Sequence, residues 1–113
     1  MPSSQNCRTQ NFRDTVRARA ARDPAFRETL FRDAVQALLR GDSDDGRAAL
    51  RAYIHATIGF ARLSQLHGRP QKSLMRMFGP NGNPTTENLV GVLRALQQET
   101  GVHLEIRAVG AAG

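Results

Sequence analysis

Residues 71–76 read Gln-Lys-Ser-Leu-Met-Arg, and most of those side chains are types that hydrogen-bond to the edges of nucleic-acid bases. Glutamine pairs bidentately with adenine, arginine or lysine with guanine O6 and N7, and serine with either a base or a phosphate. Leu74, Met77 and Phe78 recur at three- and four-residue spacing. A helix over 70–78 would bury those three and turn Gln71, Lys72, Ser73, Met75 and Arg76 outward. Met75 most simply packs, as Met77 does, but an exposed Met75 can also touch a thymine methyl.

The residues just upstream are those needed to aim such a helix. Leu63 and Leu66 are expected on the buried face of a preceding short helix, with the small Ser64 where the two helices cross closely. Gly68 falls where the connecting turn requires positive φ, which glycine adopts without a Cβ penalty. Pro70 suits the opening of the second helix, since its fixed φ is compatible and its missing N–H costs nothing there. Two short helices joined by a tight glycine turn form the arrangement that seats one helix in a DNA major groove. An ordinary helical hairpin satisfies the same spacing.

Charge distribution separates these alternatives in part. The chain of 113 residues carries a net charge of +6, distributed as +4 over residues 1–40, −1 over 41–58, +4 over 59–84 and −1 over 85–113. The second basic block contains no acidic residue, so Arg62, Arg69, Lys72 and Arg76 stand unopposed within it. That is what a phosphate-facing surface requires, whereas a merely solvated helix mixes signs. One basic face on a generally basic protein is the blander alternative.

The length suits one domain with a modest core. Hydrophobic residues make up 40% of the chain but aromatics only 5%, with no Trp, which predicts an aliphatic, helical core. The N-terminal ten residues are polar, without a signal peptide's apolar run, and no later stretch approaches a membrane span, so a cytoplasmic location with no membrane partner is expected. Cys7 stands alone, which excludes an internal disulfide and leaves a thiol with no evident partner. His55, His67 and His103 fall on separate elements without metal-ligand spacing, although His67 lies beside the turn, within reach of a phosphate. No nucleophile is flanked by a credible base, so neither an enzyme activity nor a cofactor or metal is expected.

Around the central motif the elements follow from caps and periods. Residues 11–22 can form a thin-striped helix with Phe12, Val16 and Ala20 on one side, read either as a phosphate-tracking arm or as a solvated helix. Asp23-Pro24 starts a stronger helix to about Arg40, with Phe26, Leu30, Phe31, Ala34, Val35 and Leu38 buried and Gly41 ending it. The acidic run 42–45 offers caps for the next helix, whose apolar face is Leu50, Tyr53, Ile54, Thr57 and Ile58. Residues 79–84 are turn formers, and the backbone amides from Asn81 to Asn83 can donate to a phosphate or simply connect. Thr85 caps a helix to about Thr100 with Leu89, Val92, Leu93 and Leu96 inside, and Gly101 ends it. Val102, Leu104, Ile106 and Ala108 then alternate with His103, Glu105, Arg107 and Val109, a strand signal. With no second strand candidate in the chain, this strand either pairs with its copy in a second subunit or packs unpaired on its own helices.

From about Pro24 to Val109 the chain resembles the small prophage-type helix-turn-helix regulators that include addiction-module antidote proteins, the HigA-like antitoxins. The resemblance rests on Leu63-Ser-Gln-Leu-His-Gly68, Lys72-Ser-Leu-Met75, Gly82-Asn-Pro84 and Asn88-Leu-Val-Gly-Val-Leu-Arg-Ala-Leu96, followed by the terminal strand. It implies a mainly α fold, a lambda-repressor-like domain that binds operator DNA as a dimer and often controls its own operon. Its recognition helix would be 70–78, with Gln71, Lys72, Ser73 and Arg76 reading DNA. Pro70 departs from the pattern, standing where such helices commonly place a phosphate-contacting serine or threonine.

The expected organisation is therefore a disordered tail over 1–10, a helical segment over 11–41, a helix-turn-helix core over 42–101 and a dimerisation strand over 102–109 made by Val102, Leu104, Ile106 and Ala108. The expected DNA contacts are Arg62, Arg69, Gln71, Lys72, Ser73, Met75, Arg76, Asn81 and Asn83. The expected partners are double-stranded DNA and a second copy of the chain. In the alternative, antitoxin role, a toxin protein is neutralised as well.

Overall fold

Asp23 is extended, and its Oδ1 accepts the Phe26 N–H at 3.2 Å, so the Asp-Pro pair starts a helix as its chemistry dictates. The computed structural model describes residues 15–110; the N-terminal tail, Phe12 and Cys7 lie outside them. Six helical segments are described: α1 over 15–22, α2 Pro24–Leu39, α3 Ser43–Ala56, α4 Gly59–His67, α5 Gln71–Met77 and α6 Thr86–Thr100. The fold is thus mainly helical, and among the described residues no helix is long and apolar enough to cross a membrane.

Helix α1 is tied to α2 locally. The Arg27 guanidinium donates to the Ala20 carbonyl at 2.5 Å, and Arg19 lies 4.5 Å from the centroid of the Phe26 ring while also facing Asp23. Gly41, at φ +90°, turns the chain from α2 into α3. The two helices then pack closely because Gly46 leaves room for Leu38, whose side chain a Cβ would overlap. Asp42 stands at the N-cap of α3 but makes no capping hydrogen bond; its carboxylate faces Arg40 at 3.4 Å instead, while Asp44 and Asp45 occupy the first turn. Helix α3 stops at Ala56, two residues short of the expected apolar face, because Thr57 leaves the helical region and its hydroxyl donates back to the Tyr53 carbonyl.

Every helix from α2 to α6 contributes to one core. Phe31, Leu50, Tyr53, Ile54, Leu63, Leu74, Phe78, Val92 and Leu96 are essentially inaccessible to solvent. Tyr53 stacks on Phe31 at 4.7 Å, and its hydroxyl bonds to the Thr100 hydroxyl at 3.2 Å, which ties α3 to the end of α6. The Thr85 hydroxyl caps α6 by accepting the Asn88 N–H, and Gly101, at φ +77°, ends that helix. Between α5 and α6 the chain passes so near the last turn of α5 that a Cβ on Gly82 would overlap the Met77 carbonyl. Glycine is required there by proximity rather than by φ.

The tail departs from the strand expectation. Residues 101–110 form neither helix nor strand within the chain. Val102 is buried in the core and Leu104 packs against it, with the Leu104 N–H donating to Gln97 at 3.1 Å. Ile106 and Val109 remain 73% and 85% exposed, and Ala108 is also exposed. The period-two pattern holds inward only for Val102 and Leu104, fails at Ile106 and Ala108, and cannot supply the neighbouring backbone that a ladder needs.

Burial pushes the phenol of Tyr53 above the ordinary tyrosine range, and the opposing influences of Thr100 and of the positive charge on Arg27 are smaller. A folded-state value above the unfolded one means that the stabilisation is complete below the unfolded value and is lost as pH rises through the folded one. Tyr53 is the chain's one tyrosine, so ultraviolet titration of the folded protein should give a single tyrosinate transition displaced upward from that of the urea-unfolded chain. Unfolding should become easier across that alkaline window; coincident folded and unfolded titrations would refute the burial argument.

Candidate nucleic-acid interface

Helix α4 is short, and only Phe60 and Leu63 are buried along it. It ends at Gly68, which adopts φ +90° and ψ −1°, the left-handed conformation expected of the turn residue. The Gly68 N–H returns to the Ser64 carbonyl at 2.9 Å, and the Ser64 hydroxyl donates to the Arg69 carbonyl at 2.6 Å. Ser64 therefore acts by bridging the turn. Pro70 occupies the N-cap position of α5 at φ −58° and ψ 144°, one residue before the helix proper. The left-handed glycine, the serine bridge and the extended proline together set the direction in which α5 leaves α4.

Helix α5 buries Leu74 fully, Phe78 just beyond its end is also inaccessible, and Met77 packs partly against the core. The opposite side is open. Gln71, Lys72, Met75 and Arg76 are exposed, and Ser73 sits half-buried at the margin. Lys72 and Arg76 have no ion pair or side-chain hydrogen bond among the described residues. Asn81 and Asn83 are exposed on the following loop, and their N–H groups make no backbone hydrogen bond among the described residues.

The expected set is not uniform, however. Arg62 is opposed after all: its Nε donates to Glu99 of α6 at 2.8 Å and its Nη1 donates to Gln65 at 3.2 Å. Glu99 raises the Arg62 pKa further through that hydrogen bond and its charge. Arg69 is half committed as well, its Nε donating to Asn88 Oδ1 at 3.1 Å. These contacts at the two ends of α4 make α4 and α6 antiparallel neighbours. The basic block contains no acid in sequence, yet α6, thirty-seven residues downstream of Arg62, brings one to it in space.

Two further residues differ from expectation. Leu66 is 40% exposed and lines an open groove between α4 and α6. It is turned away from the core because α6 approaches α4 on the side of Leu63 and His67. His67 faces inward, with Nε2 3.3 Å from the Asn88 carbonyl oxygen, and fits because Gly91 lacks a side chain; a Cβ there would come within 2.9 Å of Nε2. The ring is consumed in packing α4 on α6 and is not presented to a phosphate. His55 and His103 are exposed on separate elements, and the described residues hold no group of three or more His, Cys, Asp or Glu arranged for a metal.

The geometry thus gives one short helix, directed by the Gly68 turn, whose open polar face combines Gln71, Lys72 and Arg76 with an exposed Met75. Such a face can donate to base edges and phosphates and touch a methyl group. No family model, curated protein or solved structure matches the chain.

Substituting Gly68→Ala meets open space but forces a left-handed alanine. Urea denaturation should show a loss of about 1–2 kcal/mol. Ser64→Ala should cost about 0.5–1.5 kcal/mol through the lost bridge. Wild-type stability in both variants would mean that the turn is not held as described.

Proposed function

We propose that the chain is a sequence-specific DNA-binding transcriptional regulator of the lambda-repressor-like, helix-turn-helix kind, acting as a homodimer with α5 in the major groove. The observation that carries this reading is the outer face of α5. Gln71, Lys72, Met75 and Arg76 are exposed and unoccupied beyond a left-handed glycine turn, in a segment with no acidic residue of its own. Gln71, Lys72 and Arg76 read bases in this account, with Ser73 and Met75 at the margins of the contact, while Asn81 and Asn83 hold phosphate. Arg69 adds a phosphate contact with the guanidinium nitrogens that Asn88 leaves free. Arg62 contributes less than its charge suggests, because Glu99 already holds it.

The dimer in this account forms through the tail. Ile106 and Ala108 are exposed apolar side chains, and beyond Leu104 the backbone, with no hydrogen bond among the described residues, pairs in this account with the same segment of a second copy. Val102 and Leu104 support that ribbon from the core side. Two recognition helices then address half-sites about 34 Å apart along the duplex.

Selection of bound fragments from random DNA should return a two-fold-symmetric site, with affinity falling steeply as salt rises. Against that site, Arg76→Ala should cost about 1–3 kcal/mol and relax preference at one base pair. Unchanged affinity and selectivity would remove Arg76 from the reading face, and recovery of no preferred sequence would overturn the regulator reading. Ile106→Asp should shift the protein to monomer in sedimentation velocity; an intact dimer would remove the tail from the interface.

A further inference from the structure

Beyond α5, a concave site of about 190 Å³ opens between the first half of α3 and the segment 78–80 that follows the recognition helix. Two arginines one helical turn apart, Arg47 and Arg51, line it together with Asp44 and Gly79. The Arg47 side chain is 13% exposed, and its Nε is buried with no hydrogen-bond partner. Its other end is held by the Asp44 carboxylate, itself 88% exposed. That Nε is enclosed, so the donors open to a bound oxyanion are the Arg47 Nη1, which makes no hydrogen bond among the described residues, and the guanidinium of Arg51. Arg51 has no hydrogen bond or ion pair among the described residues and supplies a second permanent positive charge at the same opening.

The position matters as much as the chemistry. Helix α5 has 7 residues and so is about 10 Å long, close to the width of the major groove at about 12 Å. Phosphates of the flanking strands therefore pass near both of its ends. The Gly79 N–H bonds to the Arg76 carbonyl, so the wall of this site is the last turn of α5 continued. On the reading of α5 as the recognition helix, we infer that Arg47 and Arg51 form an oxyanion site that clamps one backbone phosphate of the bound duplex. Sequence alone does not mark these residues, because they lie in the acidic stretch 41–58 and only the fold brings residues 78–80 beside them.

Two measurements test this. Titrating inorganic phosphate into the free protein while observing arginine Nε–Hε resonances should shift Arg47 and Arg51 saturably and leave Arg94 unmoved. In duplex binding, Arg51→Gln should weaken the selected site and an unrelated duplex by the same factor, about tenfold, and reduce the slope of log K against log salt by about 0.9. Arg47→Gln should do the same; Arg51 is the safer variant, since it does not disturb a buried group. Wild-type affinity and slope in both variants, or phosphate shifts spread evenly over all arginines, would overturn the site. If the wild-type protein bound no duplex, the regulator reading would fail, while the phosphate titration would still decide whether Arg47 and Arg51 hold an oxyanion.

Discussion

A helix of seven residues does not persist in water by itself; isolated helices need roughly 12–15 residues even with favourable composition. Helix α5 exists because its surroundings hold it. Leu74 and Phe78 insert into the core, Gly68 and Ser64 fix the entrance, and the chain at Gly82 presses against the carbonyl at the exit. Everything about the candidate interface depends on this external support. The outward Lys72 and Arg76 make no hydrogen bond or ion pair among the described residues, so the packing that holds the helix does not engage their charged ends. A longer, self-sufficient helix would need stabilising pairs along the same surface, and those pairs would occupy the cations that α5 leaves open.

The support is distributed in an instructive way. Helix α6 packs antiparallel to α4 and is joined to it by Arg62–Glu99 at one end and by Arg69–Asn88 with the His67 ring at the other. The exposed Arg62–Glu99 and Arg69–Asn88 contacts contribute little energy individually. Their effect is to fix the angle of α4, and hence of the turn, relative to a helix whose own ends are set by Thr85 and Gly101. The α2–α3 pair closes the other side through Tyr53, Phe31 and Thr100.

What could be read from the sequence was what depends on near neighbours along the chain. The left-handed Gly68, the caps at Asp23 and Thr85, the stops at Gly41 and Gly101 and the inward Leu74 and Phe78 follow from local sterics and period, and they locate α2, α5 and α6 closely. What was missed depends on how helices cross. Nothing around Arg62 foretells Glu99, Leu66 is apolar yet lies on the groove side of α4, and His67 is polar yet turned inward because a glycine on α6 makes space for it. The tail shows a third kind of limit. Of the alternating set, Val102 and Leu104 turn inward while Ile106 and Ala108 stay exposed, and whether such a segment becomes a ladder is decided by a second strand, which the described chain does not contain.

The close passage at Gly82 reaches beyond this one chain. Any side chain there would displace either the loop or the last turn of α5, and with it the aim of the whole motif. A lineage that preserves this backbone path can vary nearly every exposed position and still must keep a bare α-carbon at that point. The pairing of a left-handed glycine before α5 with a sterically forced one after it, at a spacing of fourteen residues, is thus a signature by which distant cousins of this protein can be sought even when little else in their sequences agrees.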